Sequence, residues 1–224
     1  MQPALLFDLD GTLVSTDHLH FRAFVDLLAR FGRSFSEEEF GLRVLGRPNE
    51  LIFADYFPDC DAAERRRMAD AKEAHVRAMI ADIGRLEPTS GLIALLDWAD
   101  RSRVPTAIVT NAPPANADVM LRAIGLEKRL TIIVSGEVLP HGKPHPLPYL
   151  EGLRLTDGDA ARSVAFEDSA AGLTSAVAAK IASVGIAVTA DAAAALTRSG
   201  AALIARDFTD PALLALVQER LAVS

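Results

Sequence analysis

The stretch Ala4-Leu5-Leu6-Phe7-Asp8-Leu9-Asp10-Gly11-Thr12-Leu13-Val14-Ser15-Thr16-Asp17-His18-Leu19-His20 decides the fold. It opens as a short, wholly apolar run, the pattern of a strand covered on both faces. The run then ends in two carboxylates two positions apart, Asp8 and Asp10, followed by Gly11 and Thr12. Two acids at the end of a buried strand repel one another unless something neutralises them.

Further apolar runs repeat the theme. Thr106–Thr110, Thr131–Ser135, Ser163–Glu167, Ile181–Ile186 and Ala201–Ala205 read as strands. Helical spacing marks Leu92–Arg101, Ala115–Ile124, Pro146–Leu155, Ala170–Ala179 and Pro211–Leu221. Alternation of this kind predicts an α/β fold, a doubly wound parallel sheet. One segment breaks it. From Thr16 to Arg85 no strand pattern occurs, and four helices are expected in HFRAFVDLLARFG, EEEFGLRVLG, PNELIFADYF and AAERRRMADAKEAHVRAMIADIG. The expected organisation is an α/β core of residues 1–15 and 86–224 with a helical insert of residues 16–85.

Composition bounds the function. The 224 residues are half hydrophobic, with sparse aromatics, so an aliphatic core is expected. The formal charge of −7 argues against a nucleic-acid partner, and Arg65-Arg66-Arg67 reads as a solvated helix face. A lone cysteine, Cys60, suits a reducing compartment. No signal-peptide pattern and no apolar run long enough for a membrane span are found, so a cytoplasmic protein is expected.

Ligands of open α/β sheets bind at the carboxyl ends of the strands. There the sequence places Asp8 and Asp10, Thr110-Asn111, the loop HGKPHP with Lys143, and Glu167-Asp168-Ser169. Four carboxylates in one crevice need raised pKa values or a bound cation. Oxygen ligands without clustered Cys or His favour Mg²⁺ over zinc. With a lysine and a threonine hydroxyl added, the set suits a metal-bridged phosphoryl group. His141 and His145, flanking Lys143, read as loop residues. A GxGxxG dinucleotide motif is missing from the strand ends.

The ordered motifs FDLDGTL, VTN, GKPHP and FEDSAAG resemble those of the haloacid dehalogenase superfamily, and the resemblance covers essentially the whole chain, insert included. It extends to the helical-cap subfamily, resembling phosphoglycolate phosphatase and β-phosphoglucomutase. The resemblance implies a Mg²⁺-dependent phosphatase acting on a small phosphomonoester, of sugar-phosphate or phosphoglycolate type. Asp8 would be the nucleophile that becomes an aspartyl phosphate, and Asp10 the general acid and base. Thr110 would bind a phosphoryl oxygen with help from the Asn111 main-chain N–H, and Lys143 would balance charge. Asp8, Asp10, Asp168 and Glu167 would supply the metal site. Thr16 and Asp17 read as the start of the first insert helix. Thr16, His20 and Arg47 are the candidates for substrate contact in the insert, which would close over the site as a cap. The expected partner is a small phosphorylated metabolite, and the expected state a monomer or homodimer.

The alternative is a β-phosphoglucomutase-like isomerase, which shares the DLDG start, a His at the His20 position and the EDS motif. Members of that group carry a Lys and an Arg in the cap where this chain has Leu45 and Asn49, with Arg47 between them. Asp10 argues against a dehalogenase. Lys72, the only lysine of the insert, lies in a charged helical stretch, which argues against a Schiff-base hydrolase.

Overall fold

A computed structural model of the chain describes residues 1–44 and 47–221. It divides into two compact units, Met1–Ser15 with Glu87–Ser224, and Thr16–Leu86. Leu45, on which part of the mutase comparison turns, lies outside the described residues.

The first unit is a six-stranded, wholly parallel sheet in the order β3-β2-β1-β4-β5-β6. Its strands are β1 (Leu5–Phe7), β2 (Thr106–Thr110), β3 (Ile133–Ser135), β4 (Val164–Glu167), β5 (Ala182–Ile186) and β6 (Leu203–Ala205). The chain winds outward from β1 through β2 to β3, then returns to the other side of β1 with β4. That reversal makes the β1/β4 boundary the switch point where α/β sheets bind ligands. The register aligns Leu5 with Val164 and Phe7 with Phe166, and the Asp8 N–H donates to the Phe166 carbonyl at 2.9 Å. Phe7 and Phe166 stack at 4.8 Å, and Phe208 meets both rings edge-on. The residues just beyond this apolar seam are Asp8 and Glu167.

Strand β1 stops at Phe7, for a local reason. The Leu9 carbonyl accepts from the N–H groups of Leu13 and Val14, so the chain has turned away from the sheet by Leu9. Gly11 makes that turn at φ +88°, and a Cβ there would overlap the Asp168 carboxylate. Strands β3 and β6 begin two residues later than expected. The helices of this unit are Leu92–Arg101, Pro114–Ala123, Leu147–Thr156, Ala170–Ala178, Ala190–Arg198 and Pro211–Leu221. The helix Ala190–Arg198 is missing from the sequence reading. Its alanine-rich ADAAAALTR offers little apolar contrast, and its clearest start signal is Thr189, whose side chain accepts from the Ala192 N–H.

The second unit is helical, with α1 (Asp17–Ala29), α2 (Glu37–Arg43), α3 (Asn49–Tyr56) and α4 (Ala62–Ile83). Ser36 caps α2, and a reciprocal Asp61–Glu64 pair caps α4. The expectation of an aliphatic core holds for the sheet unit only. Seven of the ten phenylalanines fall in the helical unit. There Phe24 packs against Phe35, Phe40 and Phe53, and Phe53 stacks on Phe57.

Lys72 and Glu73 depart from the charged run of α4 around them. Their charged neighbourhood suggests solvation, yet both are buried. Lys72 Nζ lies 2.7 Å from Glu73 Oε1 and 2.8 Å from His20 Nδ1, and 4.9 Å above the Phe24 ring. Asn49 Nδ2 donates to Glu73 Oε1 at 2.7 Å. Burial pushes the Glu73 carboxyl up, but the charges of Lys72 and His20 and the bonds from Lys72 and Asn49 outweigh it and hold the pKa at about 2. A carboxyl held low stabilises the folded state fully above the ordinary value of 4.5 and loses that stabilisation as the pH falls towards 2. Glu73→Gln is therefore expected to cost about 3 kcal/mol near neutrality, because it strips a partner from a buried cation. The gap between the two proteins should narrow in thermal melts repeated at about pH 3.

Candidate active site

The site grows from four strand ends of the α/β unit. Asp8 follows β1 and is 7% exposed. Glu167 ends β4 and has no exposed surface. Asp168 follows it, half-buried, and accepts a long bond of 3.4 Å from the Thr12 hydroxyl. Thr110 ends β2, buried, and its Oγ1 accepts from the Ala112 N–H at 3.1 Å, so its own hydrogen is available to an acceptor.

Lys143 arrives from the loop after β3. Its ammonium stands 2.5 Å from Asp8 Oδ1 and 2.5 Å from Glu167 Oε1. Glu167 Oε1 also accepts from the Tyr149 hydroxyl at 2.7 Å, and Oε2 accepts from Ser169 at 3.2 Å. Gly172 makes room for this carboxylate, since a Cβ there would overlap it. Tyr149 further sets its ring 5.4 Å from the Lys143 ammonium.

The charge balance is unusual. Burial drives the Asp8 carboxyl up and the Glu167 charge adds to it, while Lys143 pulls it down, leaving a pKa of about 7. Burial disfavours the Lys143 ammonium, but the Asp8 and Glu167 carboxylates outweigh that effect and hold its pKa above the usual value. Burial, reinforced by Glu167, pushes the Tyr149 phenol well above its usual value, so it stays a neutral donor.

Oxygens of Asp8, Glu167 and Asp168 lie within 4.8 Å of one another. Three carboxylates and a half-buried Asp10 against one ammonium leave the cluster short of positive charge. Oxygen donors without cysteine or histidine fit a hard divalent cation. Glu167 also serves Lys143, Tyr149 and Ser169, and Asp8 and Asp168 stand beside it in the same group of three carboxylates.

Of the residues singled out from the sequence, Asp8, Thr110, Glu167 and Asp168 stand at strand ends of one unit, Lys143 reaches Asp8 and Glu167 from the loop after β3, and Asp10 lies in the turn that follows β1. Asn111 stands beside Thr110, but its side chain is turned to the Lys143 main chain, accepting from N–H at 2.9 Å and donating to the carbonyl at 3.2 Å. Thr16, His20 and Arg47 belong to the helical unit. Thr16 precedes α1 and is fully buried. His20 takes part in the Lys72 cluster, its Nδ1 2.8 Å from the ammonium. The Arg47 guanidinium already binds Asp55 and the Arg43 carbonyl, each at 2.8 Å, so gripping an anion would require it to leave Asp55. His141 and His145 are exposed, their rings 4.6 Å apart. Tyr149 escaped the sequence reading, and Lys72 figured there only as a lysine in a charged stretch. An aromatic in an apolar helix reads as core, and a lysine in a charged run reads as surface.

Comparison with known proteins agrees with this geometry. The haloacid dehalogenase-like hydrolase family matches residues 5–186. The chain is 30% identical over 197 residues to validoxylamine A 7′-phosphate phosphatase of Streptomyces hygroscopicus subsp. limoneus, covering 87% of this chain and 90% of that one. It is 28% identical to a phosphorylated carbohydrates phosphatase of Thermotoga maritima, over 80% of this chain and 82% of the relative. Among solved structures, a family IA, variant 3 hydrolase from Entamoeba histolytica superposes with a TM-score of 0.86 at 25% identity, covering 99% and 100% of the two chains.

An acid with a pKa of about 7 must lose its proton to ligate a cation. Mg²⁺ is therefore expected to bind more tightly at pH 8 than at pH 6. At saturation it should raise the melting temperature by about 5 °C. Asp168→Asn should abolish most of that shift in the same thermal scans.

Proposed function

Because the chain belongs to the haloacid dehalogenase-like hydrolases and is a phosphoric monoester hydrolase, we propose that it cleaves small phosphomonoesters through an aspartyl phosphate on Asp8. The observation that carries this reading is the Lys143 ammonium held against both Asp8 and Glu167 at the end of β1. An ammonium on Asp8 favours the ionised, nucleophilic carboxylate and offsets the negative charge brought by a phosphoryl group.

Asp8 attacks phosphorus, and the ester oxygen leaves with a proton supplied by Asp10. A water then gives its proton to Asp10 and attacks the same phosphorus, releasing phosphate and restoring Asp8. The Thr110 hydroxyl and the main-chain N–H of Asn111 would bind phosphoryl oxygens. Asp8 and Asp168, with Asp10 and Glu167 as further candidates, would hold Mg²⁺, which supplies charge neutralisation at the phosphoryl oxygens when bound. Thr16, His20 and Arg47 are proposed as substrate contacts on the family resemblance alone.

The named relatives favour a sugar phosphate or a similar small ester as substrate. A cytoplasmic setting fits the single cysteine, and no helix among the described residues is long and apolar enough to cross a membrane.

Phosphate release should be measured over a panel of sugar phosphates and phosphoglycolate, with Mg²⁺ and with EDTA. Release should require Mg²⁺. Asp8→Asn should lower kcat by about 10³-fold or more, and Lys143→Met by about 10²-fold. Conversion of β-glucose 1-phosphate to glucose 6-phosphate with little free phosphate would instead establish the mutase.

A further inference from the structure

Lys143 is buried, but nothing in the sheet holds its main chain. It lies in a turn between β3 and the helix Leu147–Thr156, outside every strand ladder. Its ammonium must nevertheless meet two carboxylates at once. A side chain with four rotatable bonds keeps such an aim only if its Cα is fixed.

Asn111 supplies the fixing. Its Oδ1 accepts from the Lys143 N–H at 2.9 Å, and its Nδ2 donates to the Lys143 carbonyl at 3.2 Å. Both polar groups of one residue are thus satisfied by both ends of one carboxamide, as a neighbouring strand would satisfy them. The surroundings are cut to fit. A Cβ on Gly136 would overlap Asn111 Oδ1, and a Cβ on Gly142 would lie 2.9 Å from the same atom. Both glycines have no positive φ to explain them, so the close approach of the carboxamide accounts for them instead. Asparagine is also the fitting residue: aspartate lacks the donor, and alanine lacks both groups.

We propose that Asn111 is a positioning residue, whose carboxamide clamps the main chain of Lys143 and thereby sets its ammonium between Asp8 and Glu167. The inference rests on the reading of Lys143 as the charge partner of Asp8. It also ties two parts of the site together. Asn111 follows Thr110 directly, so the hydroxyl at the end of β2 and the ammonium from the next loop move as one body. With both carboxamide groups engaged, the contact of Asn111 with a phosphoryl group falls to its main-chain N–H alone.

Hydrogen exchange and kinetics on the full chain test this. In Asn111→Ala the Lys143 amide should exchange about tenfold faster, and kcat should fall about tenfold with KM within about twofold. Lys143 should also be acetylated faster by an amine reagent, scored by mass spectrometry against exposed Lys128 and Lys180. Asn111→Asp keeps the acceptor and should keep the Lys143 amide protected, which guards against a fold effect in the alanine variant. Unchanged exchange and acetylation in Asn111→Ala would overturn the clamp. So would a rise in KM with exchange unchanged, since Asn111 would then act by touching substrate. Exchange and acetylation read the clamp without turnover. A wild-type protein with a protected Lys143 but no Asp8-dependent phosphatase activity would therefore count against the proposed function and not against the clamp.

Discussion

A buried ammonium shared by two carboxylates, Lys143 between Asp8 and Glu167, is the constraint from which the rest of the α/β unit follows. Three charges out of water cost several kcal/mol each, and only close pairing with further hydrogen bonds offsets that. The fold supplies those bonds. Tyr149 and Ser169 donate to Glu167, and the Phe7–Phe166–Phe208 cluster closes the apolar floor beneath. The balance is still incomplete, as the Asp8 pKa near 7 records. A site that is short of positive charge at rest suits both a divalent cation and a nucleophile used at neutral pH.

Close approach is achieved by removing side chains. Gly11 admits Asp168, Gly172 admits Glu167, and Gly136 and Gly142 admit Asn111. In each case a carboxylate or carboxamide occupies space that a Cβ would take. The parallel sheet sets the coarse positions of these groups at its carboxyl edge, and the missing side chains set the fine ones.

Much of this was legible because the chemistry-bearing residues of the α/β unit stand where strands stop. An apolar run that breaks into Asp8, Thr110 or Glu167-Asp168 is visible in one dimension, and a doubly wound sheet collects such ends in one place. What escaped depends on direction and burial, which a linear pattern does not carry. Asn111 was visible as a neighbour of Thr110, but not its turn towards Lys143. The charged run around Lys72 does not reveal that it and Glu73 are buried, because which positions of a helix face inward is not carried by local composition. The helix Ala190–Arg198 was lost in a run of alanine. The concentration of phenylalanine in the helical unit was hidden in a chain-wide average.

The most direct measurement is mass spectrometry of the protein quenched in acid during turnover of a sugar phosphate, with the peptide spanning Ala4–His20 sequenced. The account predicts one added phosphoryl group on Asp8, and its disappearance in Asp8→Asn. Turnover at full rate with no phosphoryl group on that peptide at any quench time, or with the group on another residue, would contradict it.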